Sequence, residues 1–234
     1  MKHLSDLRGA HAGRPALVLG GGESLPRQAE RAPEGCVYIS ANQHGCMLRA
    51  CDYIVACDDK PRAQFLGRDG QMVTLKSFAV PVISPRPSMA DYLTPKPPHN
   101  NSGVVAAWAA WVMGCAPILL AGMDCYRGAC YWHAPKAQST GQHLQLSNHL
   151  VKWRTLAAKH PQAMFRSMGV PLSDVFPAYD PEEPVILTPL EEIEIDAHKA
   201  KVLRAWRRFR PGQVVELTKA ELKDGLRSRT IVQL

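Results

Sequence analysis

The chain has 234 residues, of which 46% are hydrophobic and 21% charged, and its formal net charge is +7. This composition supports a folded core and excludes an intrinsically disordered protein, and no apolar run reaches the ~20 residues that a membrane-spanning helix needs. The first stretch of the sequence lacks the apolar core of a signal peptide, so we expect a cytoplasmic protein.

Short apolar strands and helices alternate along the first part of the chain. Six runs are typical of buried strands, at residues 16–20, 36–40, 53–57, 80–84, 117–121 and 163–167. A short helix that ends near residue 31 is predicted after the glycine turn 20–25, and further helices are predicted over residues 104–113 and from about residue 144 to residue 159. This order predicts a Rossmann-like α/β domain over residues 1–178, with a parallel sheet flanked by helices.

Residues 179–234 differ in composition from this domain. A linker rich in Pro and acidic residues, 179–189, precedes a predicted basic helix, 190–209, and then two short strands with a capped helix between them. The segment 199–229 carries ten Lys and Arg against three Asp and Glu. We expect a small basic α+β appendage that packs on the main domain, mediates a homo-oligomer or contacts a polyanion; a solvated helix face is the plainer alternative.

Seven cysteines are present, without any CxxC pair. Their positions suggest reduced, buried thiols. A zinc site formed by His44, Cys46, Cys51 and Cys57 is an alternative, although the spacing matches no common zinc motif.

Polar motifs follow several predicted strands at their carboxyl ends. A glycine turn, GGGESL at residues 20–25, follows the first strand but matches neither GxGxxG nor a P-loop. Asn42-Gln43 follows the second strand, Asn101-Ser102-Gly103 begins the central helix, and GMDCY at residues 122–126 follows the fifth strand. Because the carboxyl ends of parallel strands share one edge, where ligands bind in open α/β sheets, these motifs predict one site. The helix start would offer N–H groups to an anion.

The order of these four motifs resembles the small bacterial sialyltransferases that use CMP-activated sialic acid. More broadly, it resembles a superfamily that includes motility-associated glycosyltransferases and archaeal 6-hydroxymethylpterin diphosphokinases. The resemblance implies a metal-independent transferase without a cofactor, in which a nucleotide-activated sugar, CMP-linked, reacts with an acceptor hydroxyl. The residues that it assigns to the nucleotide site are Gly20, Gly21, Gly22, Ser24, Asn42, Gln43, Asn101, Ser102, Gly103 and Asp124.

The resemblance also implies catalytic roles for three side chains. Tyr126 and Tyr131 would hydrogen-bond the leaving phosphate, and His143 would act as general base. His149 lies six residues beyond His143, on another face of the predicted helix, and is expected to be an ordinary polar residue. The chain departs from the usual GNGPSL turn of the family at Gly21 and Glu23, where the family has Asn and Pro.

Two other functions stay open at the level of sequence. A diphosphokinase-like phosphotransferase would use ATP and Mg²⁺, with Asp58, Asp59 and Asp124 as candidate ligands. A non-catalytic protein would keep the nucleotide-binding fold and act in assembly or nucleic-acid binding through its basic region.

Overall fold

The computed structural model describes residues 2–57, 65–66, 72–94, 97, 100–125, 131–133, 146–182, 199–202, 214–216 and 231–233. The chain divides into two units, Met1–Thr188 and Pro189–Leu234. Among the described residues, no helix has the length and apolar character needed to cross a membrane.

The first unit has an α/β fold built on an eight-stranded, all-parallel sheet, in the order β1-β8-β7-β4-β3-β2-β9-β10. In chain order the strands and helices of this unit are β1 Lys2–His3, β2 Ala16–Leu19, α1 Leu25–Ala29, β3 Val37–Ala41, β4 Tyr53–Val55, β5 Phe65–Leu66, β6 Met72–Val73, β7 Val82–Ser84, β8 Tyr92–Leu93, α2 Ser102–Val112, β9 Ile118–Ala121, α3 Leu146–Lys159 and β10 Phe165–Ser167. β5 and β6 pair with each other outside this sheet and are antiparallel.

The parallel sheet that the sequence predicts is confirmed, since each of the six apolar runs overlaps one of its strands. Sequence reasoning missed β1 and β8, because strands of two residues are too short to show a hydrophobic period.

The central strands β2 and β9 are buried on both faces of the sheet. Along β2, Ala16 and Val18 belong to the apolar cluster that contains α2 and α3, while Leu17 and Leu19 belong to the cluster that contains α1. Successive side chains of a strand point to opposite faces, so a fully apolar strand requires cover on both sides.

The strand order reverses between β2 and β9. From β2 the chain adds β3, β4, β7 and β8 on one side, and then crosses back through α2 to place β9 on the other side of β2. α2 contacts β2, β3, β4 and β9 as it crosses. The reversal leaves the carboxyl ends of β2 and β9 side by side, which is the position where open α/β sheets bind ligands.

The second unit contains the antiparallel strands β11 Lys199–Val202, β12 Val214–Glu216 and β13 Ile231–Gln233, in the order β12-β11-β13. The prediction of a continuous helix over residues 190–209 is therefore wrong at β11. Lysine alternates with Ala200 and Val202 there, a period of two that suits a strand. The helix predicted from Thr218 lies outside the described residues.

Candidate functional site at the strand-order reversal

The glycine turn after β2 packs directly against the segment that follows β9. The Gly20 N–H donates to the Ala121 carbonyl at 2.8 Å, and the Gly22 N–H donates to the Gly122 carbonyl at 2.8 Å. A Cβ atom added at Gly20 would collide with the Gly122 carbonyl group, so this approach requires glycine.

Asp124 caps the helix that begins in this turn. Its carboxylate accepts hydrogen bonds from the Ser24 N–H at 3.0 Å and from the Ser24 hydroxyl. Ser24 is the N-cap residue of α1, and its own side chain does not cap the helix. Asp124 therefore supplies the negative group that a helix start favours, and an anionic ligand would compete with it for the Ser24 N–H.

The Met123 side chain lies between the glycine turn and the start of α2. A Cβ atom added at Gly20 would lie 2.9 Å from the Met123 sulfur, and one added at Gly103 would lie 2.9 Å from the same atom. Residues 20–22, 101–103 and 122–124 thus border one space, which we call the switch-point crevice. Methionine is flexible, so this side chain can make room for a ligand.

Ser102 ties the N-terminal turn of α2 to the ends of β3 and β4. Its hydroxyl donates to Asn42 Oδ1 at 3.0 Å and accepts from the Cys57 N–H at 3.1 Å. Asn42 has a φ of 57°, in the left-handed region that asparagine tolerates better than most residues. Among the described residues, the Ser102 and Gly103 N–H groups have no acceptor. This edge therefore presents N–H donors, which suit the oxygens of an anion.

Asn101 caps α2 and also contacts α3. Its Oδ1 accepts from the Val104 N–H at 3.1 Å, and its Nδ2 lies 3.0 Å from His149 Nδ1. His149 is buried, and burial together with the nearby charge of Lys152 lowers the pKa of its imidazole. The imidazole thus connects α3 to the same edge of the sheet.

Three consecutive residues, Tyr131, Trp132 and His133, lie over the glycine turn. The Trp132 main-chain N–H donates to the Gly21 carbonyl at 3.2 Å, and its indole N–H donates to the His44 carbonyl at 3.3 Å. The Tyr131 and His44 rings pack with their centroids 4.5 Å apart. A Cβ atom added at Gly21 would lie 2.8 Å from both rings, so the turn needs glycine here as well.

His44 and His133 form an imidazole pair beside this turn. His44 Nδ1 lies 2.8 Å from His133 Nε2, the geometry of an N–H···N hydrogen bond. Burial, and secondarily the charge of His133, lowers the pKa of His44 to about 3. His44 is neutral at pH 7 and contributes stacking and hydrogen bonding rather than charge.

Gln43 is buried beside these groups at the end of β3. Among the described residues its Oε1 has no hydrogen-bond partner. A buried amide oxygen without a donor costs about 1–3 kcal/mol, which a donor on a ligand would recover.

The structure brings most of the predicted site residues together. At the β2–β9 end of the switch-point crevice lie Gly20, Gly21, Gly22, Ser24 and Asp124, and at the start of α2 lie Asn42, Asn101, Ser102 and Gly103. Gln43 is buried next to Asn42, and Tyr131 covers Gly21. The predicted residues outside the described part of the chain are Tyr126, His143, Asp58 and Asp59.

Sequence reasoning missed three side chains at this edge. His44 was considered only as a zinc ligand, although its place directly after Asn42-Gln43 already puts it at a strand's carboxyl end. His149 and Gln28 have no local signature, because each makes a long-range contact. The Gln28 Oε1 atom accepts from the Gly122 N–H at 2.8 Å, and His149 meets Asn101.

The zinc alternative finds no support at its four residues. Among the residues that the structure describes, no group of three or more His, Cys, Asp or Glu is placed to hold a metal. The Cys46 and Cys51 side chains interact with each other, whereas Cys57 belongs to the apolar cluster that contains α2.

Comparison of the chain with protein-family models, with curated proteins and with solved structures gives no match in any of the three. The resemblance to sialyltransferases therefore depends on the four motifs and their order alone. What the arrangement can do chemically follows from its groups: N–H donors for an anion, neutral aromatic rings for stacking, and a buried amide oxygen for a hydrogen-bond donor.

Proposed function

We propose that the chain is a glycosyltransferase with a Rossmann-like nucleotide-binding domain, whose donor is a nucleotide-activated sugar, CMP-linked, bound at the switch-point crevice. The observation that carries this proposal is the reversal of strand order between β2 and β9, at which three polar segments meet. In open parallel sheets this is the place where nucleotides bind.

The N–H donors at the start of α2 support the proposal that the phosphate of the donor nucleotide binds there. The Ser102 and Gly103 N–H groups point out of the first helical turn, and the helix dipole favours negative charge at this end. Asn42 uses its side-chain oxygen for Ser102, which leaves its NH₂ as a further donor. The glycine turn is less suited to the phosphate, because Asp124 already accepts from Ser24.

In the proposed reaction the acceptor hydroxyl attacks the anomeric carbon of the sugar. A new C–O bond forms, the bond between that carbon and the phosphate oxygen breaks, and the hydroxyl proton passes to His143, the general base that the resemblance implies. Tyr126 and Tyr131 would donate hydrogen bonds to the departing phosphate, and the α2 N-terminus would stabilise its charge.

A thermal-shift and calorimetry screen of CMP, CDP, UDP, GDP and ATP, each with and without Mg²⁺, tests the proposal. We expect the cytidine nucleotides to bind without Mg²⁺. Asn42→Ala should weaken binding by about 1–3 kcal/mol. The ligand loses the Asn42 NH₂ as a hydrogen-bond donor, and the Ser102 hydroxyl loses its acceptor.

The matched control is Asn148→Ala, which changes an exposed asparagine of α3 and should leave affinity unchanged. Binding of ATP alone, and only with Mg²⁺, would favour the diphosphokinase-like alternative. Absence of nucleotide binding under every condition would contradict both enzymatic functions and favour the non-catalytic one.

A further inference from the structure

The hydrogen bond between Asn101 and His149 determines which ring nitrogen of His149 carries the proton. Asn101 Oδ1 accepts the Val104 N–H at 3.1 Å, so the group that faces His149 Nδ1 at 3.0 Å is the amide NH₂. An amide NH₂ can only donate. His149 Nδ1 therefore accepts, and the proton of the neutral imidazole is on Nε2.

The surroundings of His149 favour this neutral form. The residue is 9% exposed, and burial, followed by the charge of Lys152, lowers the pKa of the imidazole. Protonation of Nδ1 would also set two donors against each other, the new N–H and the Asn101 NH₂.

The Asn101 amide is held at both of its ends. Its oxygen is fixed by the first turn of α2, and its nitrogen is fixed by an imidazole that stands 48 positions later in the chain, on α3. Ser102, which follows directly, bonds to Asn42 and to the Cys57 N–H. Rotation of the Asn101 amide would therefore release the helix turn that borders the switch-point crevice.

We propose that His149 is a positioning residue that holds the N-terminal turn of α2 in place for the ligand, by accepting a hydrogen bond at Nδ1 from Asn101. As far as the ligand is concerned, this inference rests on the proposed function. His149 is not the general base at Nδ1, because that lone pair is already used. Its contribution is to keep the Ser102 and Gly103 N–H groups where a phosphate can meet them.

Two substitutions of His149 separate positioning from packing. His149→Asn places a carbonyl oxygen near the position of Nδ1 and keeps the acceptor, whereas His149→Leu fills a similar volume without one. In the full-length protein, CMP affinity should fall about tenfold in His149→Leu, the effect of losing one buried hydrogen bond, and should stay within about threefold in His149→Asn. His160→Leu is the control, because His160 packs on Trp111 rather than on Asn101, and it should leave affinity unchanged.

The protonation state has its own spectroscopic readout. Nitrogen-15 NMR of the histidine side chains at neutral pH should assign the Nε2–H form to His149. In Asn101→Asp a carboxylate replaces the NH₂, so the proton should move to Nδ1 and the pKa of His149 should rise. An Nδ1–H form in the wild-type protein would overturn the proposal.

Failure of the proposed function can be told apart from failure of this inference. If no nucleotide binds the wild-type protein, amide hydrogen exchange at Val104 still measures how firmly the turn is held. Exchange should be faster in His149→Leu than in the wild type and should be restored in His149→Asn. Equal exchange in all three, or equal CMP affinity in wild type and His149→Leu, would contradict a positioning role.

Discussion

At the scale of single residues, the fold lowers the pKa of the buried His44 imidazole well below its ordinary value. The folded chain keeps it neutral down to about pH 3, because the ring is buried between the glycine turn and residues 131–133, while the unfolded chain protonates it near 6.5. Between these values the unfolded state binds the additional proton. The contribution of His44 to stability is thus fully present above about pH 6.5 and is lost as the pH falls toward 3.

His44→Phe keeps an aromatic ring but removes this titration. On acidification from neutral pH to about pH 5, the wild type should lose unfolding free energy more steeply than the variant, by up to about 1.4 kcal/mol per pH unit. Urea denaturation at several pH values measures both slopes. His160→Phe serves as a control, since His160 is less buried and should alter the slope less. Identical slopes for wild type and His44→Phe would contradict a buried neutral imidazole.

Whether a residue of the site could be predicted from the sequence depended on how far along the chain its partner lies. The polar motifs at residues 20–25, 42–43, 101–103 and 122–124 could be found in the sequence because each directly follows a strand or begins a helix. His149 could not, because its partner lies 48 residues away on another helix. The hydrogen bond from Ser24 to Asp124 could not be predicted for the same reason, since the two residues are 100 positions apart in the chain.

At the scale of elements, the position of α2 determines the geometry of the carboxyl edge of the sheet, where the switch-point crevice lies. The helix lies across the middle of the sheet, and its small residues Gly103, Ala106 and Ala107 are buried. The apolar run and the capping residues were sufficient to predict such a helix. The two hydrogen bonds by which the Ser102 hydroxyl connects the first turn of α2 to the ends of β3 and β4 could be seen only in the structure.

Ser102→Ala removes both of these hydrogen bonds. Asn42 Oδ1 loses its donor and the Cys57 N–H loses this acceptor, so unfolding free energy should fall by about 1–3 kcal/mol. Chemical denaturation measures the loss, and CMP titration should show weaker binding in parallel. Ser173→Ala, at an exposed position, should change stability by less than about 0.5 kcal/mol. A Ser102→Ala protein as stable as the wild type would show that these hydrogen bonds contribute little.

At the scale of the whole molecule, the chain has two units of different character. All members of the buried apolar clusters described above belong to Met1–Thr188. The second unit contains the basic segment 199–229, with its ten basic and three acidic residues. The change of composition indicated a separate appendage from residue 179 onward, whereas β11 could not be separated from a basic helix by charge pattern alone.

A protein that ends after Thr188 should keep the fold of the first unit, with a cooperative thermal transition within a few degrees of that of the full chain, because the apolar clusters that the structure describes lie in this unit. It should lose any association with DNA that weakens as salt rises, because that association depends on basic residues. Circular dichroism and DNA titration at several salt concentrations measure the two outcomes, and sedimentation compares the oligomeric states.

Full-length protein with Lys199→Gln and Lys201→Gln is the matched variant and should bind DNA more weakly. Unchanged sedimentation together with an absence of DNA binding in both forms would contradict a role of the appendage in association.

The reversal of strand order also sets the order in which the site can assemble during folding. Ala16 pairs with Val37 on one side and with Ile118 on the other, so β2 acquires its first neighbour from nearby sequence and its second from far along the chain. Distant pairings carry a larger loop-closure entropy and form more slowly. During synthesis β2, β3 and β4 emerge well before β9, so the glycine turn is made before the segment that it packs against. We therefore expect the crevice to form late in folding, and a chain halted before β9 would lack the Gly122 and Asp124 groups that bond to the glycine turn.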